Sequence, residues 1–155
     1  MMKGNDIRER YISQFVCFIW LLILSGCTKP SVVELTLTDP YAHIVGIEYR
    51  VIAEVNAYGI YEDMDRKSIS FIELIPTSVV ISGPEVAFKN RIAKGQKIRV
   101  LSAWRERKLL HSNVYYVIAL QDEGLPRDIQ IRIDLSRGNE GEGAELNPRI
   151  YERIK

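Results

Sequence analysis

Asp128-Ile129-Gln130-Ile131-Arg132-Ile133-Asp134-Leu135 alternates polar and apolar residues without a break. Successive side chains leave a strand on opposite sides, so a period of two marks a strand with one face in a core and one in water. Ile129, Ile131, Ile133 and Leu135 are expected inward, and Asp128, Gln130, Arg132 and Asp134 outward. An amphipathic helix would space its apolar residues three and four apart instead.

The segments on either side extend the same pattern. Residues 114–121 are apolar on both parities, as in a central strand, and pair with residues 97–107 through a loop at 108–113. Further upstream, Val79-Val80-Ile81 reads as a short strand stopped by Ser82-Gly83-Pro84. Residues 69–75 read as another, stopped by Pro76. Residues 44–58 place Val45, Ile47, Tyr49, Val51, Ala53 and Val55 on one parity. Fifteen residues exceed an ordinary strand, which predicts a bend or bulge beginning near Gly46. Val33-Glu34-Leu35-Thr36-Leu37 opens the series, and Asp39-Pro40 turns the chain. Downstream, residues 137–145 are rich in Gly and Glu and read as a loop. Asn147-Pro148 offers a helix cap with proline at the first helical position, and Leu146 and Tyr151 have the spacing of a hydrophobic staple. A short C-terminal helix through Ile154 or a final strand fits this ending. The whole describes a mainly β fold: a single antiparallel sandwich or barrel of about seven or eight strands.

The amino terminus has a different character. Residues 3–10 are polar and carry one net positive charge, and residues 15–24 are ten apolar residues in a row. Such a run covers about half of the ~20 residues needed to cross a bilayer. A charged start, a short apolar stretch and small residues at 25 and 26 describe an export signal. Leu24-Ser25-Gly26-Cys27 then resembles the lipobox of bacterial lipoproteins, in which Leu, a small residue, Gly or Ala, and Cys occur in that order. The resemblance implies a cleaved signal peptide over 1–26, diacylglyceryl transfer to the Cys27 sulfur, a lipidated tether over 27–32, and a mainly β periplasmic domain over 33–155. In Gram-negative bacteria an Asp after the lipidated Cys favours the inner membrane. Thr28 stands there instead, which favours the periplasmic face of the outer membrane.

Charge and cysteine usage bound the partners. Residues 1–26 carry Lys3, Arg8 and Arg10 against Asp6 and Glu9, and without them basic and acidic residues number 18 each. A neutral domain has no global attraction for nucleic acid. The only cysteines are Cys17 and Cys27, which leaves the mature chain no disulfide. The histidines, His43 and His111, have no His or Cys at metal-ligand spacing, so no metal or cofactor is expected. Glu62-Asp63-Met64-Asp65 and Glu140-Gly141-Glu142 do not match an ordered calcium loop. No Gly-rich phosphate loop, Gly-x-Ser-x-Gly elbow or His-Glu-x-x-His motif occurs.

One local asymmetry remains. Lys89, Arg91, Lys94, Lys97, Arg99, Arg105, Arg107 and Lys108 fall within twenty residues that hold one acid, Glu106. Strand parity puts Lys97, Arg99, Arg105 and Arg107 on one face and Trp104 on the other, with Ile98 and Val100 in the core. Such a face suits anionic lipid or an acidic envelope protein, or it is a solvated surface that protects an edge from pairing. Ser82-Gly83-Pro84 followed by Lys94-Gly95 and a strand also resembles bacterial SH3-type cell-wall-binding modules, over residues 82–101. Taken together, these features predict a membrane-anchored, non-enzymatic envelope lipoprotein that binds a partner or supports envelope assembly. The alternatives are a peptidoglycan-binding SH3-like module or an enzyme inhibitor.

Overall fold

A computed structural model describes residues 31–62, 65, 67–108 and 111–154. Among the described residues, nine strands form one sheet: β1 Ser31–Glu34, β2 Glu48–Val51, β3 Val55–Ile60, β4 Phe71–Pro76, β5 Val86–Ile92, β6 Lys97–Arg107, β7 Ser112–Leu120, β8 Ile131–Asp134 and β9 Tyr151–Arg153. Their order is β5-β3-β4-β8-β7-β6-β2-β9, and β1 pairs beside β2 on the same edge of β6. The fold is mainly β, as the alternation predicts. Every pairing is antiparallel except β4 with β8.

Connectivity shows how the sheet bends. β2 and β3 lie near opposite ends of the strand order, yet only residues 52–54 join them. That link spans at most roughly 14 Å, so the sheet must curl until its ends approach. It is not closed, and the result is sandwich-like. The enclosed face carries Ile72, Leu74, Ile98, Val100, Ala103, Tyr116, Ile118, Ile131 and Ile133, all in one buried cluster with Val51, Val55 and Tyr151. The outer face carries a smaller cluster, Tyr58, Ile60 and Ile75, against which Phe71, Val79, Ile81 and Val86 pack.

Several local expectations are corrected. The long segment over 44–58 is two strands, and it breaks at 52–54 and not at Gly46, which takes a left-handed turn (φ +88°) ahead of β2. The break follows from pairing: β2 bonds to β6 and β9, whereas β3 bonds to β4 and β5. Residues 79–81 are not a strand. They form part of the turn that covers the outer cluster. The first strand begins at Ser31, so it takes up the last two residues of the expected tether. β5 is absent from the sequence reading because Lys89, Asn90 and Arg91 are exposed on an edge strand and hide its alternation.

The C-terminal helix does not form. Asn147 does cap a turn, with its Oδ1 accepting from the Arg149 N–H at 3.0 Å and its carbonyl accepting from Ile150 and Tyr151 at 2.9 Å. After one turn the backbone of β9 pairs with β2 instead, with Val51 opposite Tyr151. The Gly- and Glu-rich stretch is a loop, and it is firmly held. Three tyrosine hydroxyls fasten it: Tyr49 donates to Glu145 at 2.6 Å, Tyr116 to the Ala144 carbonyl at 2.5 Å, and Tyr151 to Asn139 Oδ1 at 2.9 Å.

Candidate functional site

Lys97, Arg99, Arg105 and Arg107 all lie on β6, but they do not share a surface. Val100 pairs with Ile118 and Ser102 pairs with Val117, which leaves Leu101 unpaired as a bulge. One extra residue reverses the face of everything beyond it. Lys97 and Arg99 therefore point outward, while Arg105 and Arg107 fall on the side of Ile98, Val100 and Ala103. Trp104 is reversed as well. It is partly exposed on the outer face, where its indole N–H donates to the Ser102 hydroxyl at 2.8 Å, and it is not a core residue. The single basic face expected from parity is two half-surfaces on opposite sides of the sheet.

The first half-surface is partly neutralised. Arg99 donates to Glu48 Oε1 from Nη2 at 2.5 Å and Nε at 3.1 Å, and Arg50, opposite Lys97 in β2, pairs with Glu152 at 3.4 Å. These pairs are exposed and contribute little to stability. Lys97 and Arg99 line an open groove of about 530 Å³ with Glu48, Gln96, Leu101 and Gln121. Leu101, pushed out by the bulge, is 48% exposed.

The second half-surface lies beside β1. Arg107 is directly opposite Ser31 in β1 and Ser112 in β7, and Arg105 is opposite Val33 and Val114. Val33 is half-exposed on this face, and Val32, opposite Glu106, is half-exposed on the other. Among the described residues, neither arginine forms an ion pair, while the neighbouring Lys108 pairs with Glu106 at 3.3 Å. No described strand pairs with the second edge of β1.

A third cluster escaped the sequence reading. Lys89, Tyr58, Glu73 and Arg132 are in register on four adjacent strands of the outer face. The Arg132 guanidinium is held between the rings of Phe71 and Tyr115, 4.2 and 4.5 Å from their centroids. Glu73 is buried; its Oε2 meets Arg137 Nη1 at 3.4 Å, and its Oε1 has no partner among the described residues. Burial pushes its carboxyl up to about 7, with Asp134 adding to the effect and Arg137, Arg132 and Lys108 opposing it. The Tyr58 hydroxyl on the neighbouring strand is also buried without a partner among the described residues. The available signal was Phe71 and Ile75 on the parity of Glu73, which marks the outer face here as covered.

The remaining candidates stand apart. His43 is exposed beside Asp39 at 3.0 Å. Among the described residues, no three His, Cys, Asp or Glu side chains gather as metal ligands, and no helix is long and apolar enough to cross a membrane. Lys94-Gly95 forms the turn that opens β6, with Gly95 at φ +93°, whereas Ser82-Gly83-Pro84 belongs to the segment ahead of β5. Cys27 and the apolar run before it lie outside the described residues. Comparison with protein-family models, curated proteins and solved structures finds no match for this chain. Its chemistry has to be argued from its own residues.

Proposed function

We propose that this chain is a bacterial envelope lipoprotein, anchored through lipid on Cys27, whose β domain binds a partner or supports envelope assembly without catalysing a reaction. The observation that carries this reading is Leu24-Ser25-Gly26-Cys27 placed directly after ten consecutive apolar residues. Two or more acyl chains hold a protein firmly at a bilayer, so the domain itself needs no spanning segment. The short distance from Cys27 to β1 supports the same reading. Three residues separate Cys27 from Ser31, a span of at most roughly 14 Å, which keeps the domain close to the membrane. Thr28 after the cysteine favours the periplasmic face of the outer membrane. Cys27→Ala tests the anchor. It is expected to abolish labelling by a fatty-acid analogue in the native host, and undiminished labelling would refute the assignment.

A second reading is peptidoglycan or glycan binding. The Lys94-Gly95 turn stands at the groove of about 530 Å³ that Gln96, Lys97 and Gln121 line with polar groups. Saturable retention of the Cys27→Ala protein on purified sacculi supports this reading. Absence of retention removes it.

A further inference from the structure

We infer that the β1 edge and the adjoining end of β6 form a docking surface for the anionic headgroups of the membrane that holds the anchor. The inference rests on the lipid-anchor reading above and adds to it which side of the domain meets the bilayer.

Register places this surface. Ser31 lies opposite Arg107, and adjacent strands run about 5 Å apart. The backbone of Arg107 is therefore within roughly 20 Å of the lipid-bearing residue along any path the tether allows. Arg105 follows two residues along the same face, opposite Val33, with Ser112 and Val114 completing the face on β7. Chemistry fits that position. Val33 is half-exposed beside two arginines that have no ion-pair partner among the described residues. Arginine lays its apolar stem along such a surface and leaves the guanidinium at the level of phosphate. The edge of β1, which no described strand covers, would otherwise invite pairing with another chain, and contact with the bilayer covers it.

The bulge at Leu101 gives this surface its specificity. Without the reversal, Arg105 and Arg107 would still lie beside β1 but on the face of Lys97 and the Arg99–Glu48 pair. With it, the two arginines, which form no ion pair among the described residues, share a face with Val33, and Arg99 remains on the other face, bound to Glu48. The mature chain is formally neutral, so attraction to the membrane must come from a local patch and not from net charge. Each basic residue at an anionic surface contributes about fivefold, and two arginines roughly 30-fold, in the ratio of docked to undocked domain.

Lipidated protein from the native host, carrying a polarity-sensitive fluorophore on Ser112→Cys, tests the inference. Cys27 is blocked by lipid and Cys17 precedes the cleavage site, so this thiol is unique. On vesicles containing phosphatidylglycerol, the label is expected to shift to the blue and resist acrylamide, and on phosphatidylcholine alone it is not. Arg105→Gln with Arg107→Gln is expected to cut the docked ratio roughly 30-fold. The paired lysine variants keep most of it, and Lys97→Gln with Arg99→Gln leaves it unchanged. Thermal melts confirm that each variant is folded. Equal protection on both vesicle types, or an equal loss from the Lys97 and Arg99 pair, overturns the docking surface. So does protection that rises with protein concentration in the absence of vesicles, which would identify a second copy as the occupant. An intact mass without diacylglyceryl overturns the anchor reading itself, and it is measured before any vesicle is added.

Discussion

The Glu73 carboxylate meets the Arg137 guanidinium at 3.4 Å through Oε2 while its Oε1 is buried with no hydrogen-bond partner among the described residues. One exposed cation at that distance does not offset the loss of water, which is why burial pushes the carboxyl to about 7 from its ordinary 4.5. Below pH 4.5 the folded and unfolded chains both hold this proton, and above 7 neither does. Between the two values only the folded chain holds it. Stability is therefore expected to fall as pH rises through this window and to stay flat beyond it, by an amount on the order of 3 kcal/mol. Glu73→Gln mimics the protonated state and is expected to remove that fall. Urea melts of both proteins between pH 4.5 and 8 check this. A difference that does not change with pH would mean that Glu73 ionises normally in the folded state.

Asn139 is fully buried and holds three elements together. Its Nδ2 donates to the carbonyls of Leu74 and Asp134, both at 3.1 Å, and its Oδ1 accepts from the Tyr151 hydroxyl. Tyr151→Phe leaves Oδ1 buried and unpaired, which is expected to cost about 1–3 kcal/mol. Asn139→Leu frees two carbonyls and the tyrosine hydroxyl together and is expected to cost more. Because both variants break one shared bond, the double variant should be less destabilised than the sum of the singles, by at least ~0.5 kcal/mol. Strict additivity in denaturant melts would show that the network is not formed.

Arg132 contributes to stability through its planar faces more than its charge. It lies between Phe71 and Tyr115, and its Nε donates to Gln130 Oε1 at 2.7 Å. Arg132→Ala is expected to destabilise the domain by about 1–2 kcal/mol. Arg132→Lys keeps the charge but cannot stack on two rings at once, so it should recover less than half of that loss. Full recovery by lysine would assign the effect to charge alone.

How far the sequence carries these sites depends on which interactions are local. Strand parity identified Ile131 and Ile133 as core and Arg132 as outward, because alternation is a property of consecutive residues. The curl of the sheet, the pairing of β9 with β2 and the parallel contact of β4 with β8 join residues distant in the chain, and no local pattern encodes them. Asn147-Pro148 signalled a helix start correctly in its first turn, but the hydrogen bonds beyond it were claimed by β2. On β6 the reading failed for a local reason that was visible. The buried residues pass from even numbers, Ile98 and Val100, to the odd Ala103, and a small alanine beside a large Trp104 makes the wrong assignment look better packed. Glu73 was missed because one charge among the apolar residues of a strand does not reveal that its own face is covered.

Ala103 and Trp104 therefore provide the sharpest test of the bulge. With unbroken alternation from Lys97, Trp104 would be buried and Ala103 would face water. With Leu101 unpaired, Ala103 is fully buried opposite Tyr116, and Trp104 lies on the outer face opposite Tyr115. Ala103→Asp puts a carboxylate into the closed cluster without a partner and is expected to cost more than about 3 kcal/mol, enough to unfold much of the population. Trp104→Gln removes a half-buried ring and its hydrogen bond to Ser102, for about 1–2 kcal/mol, and leaves a folded domain. Thermal melts of the two variants distinguish the arrangements directly. If Trp104→Gln proves the more damaging, the strand runs without a bulge, Arg105 and Arg107 return to the face of Lys97 and Arg99, and the separate docking surface beside β1 loses its basis.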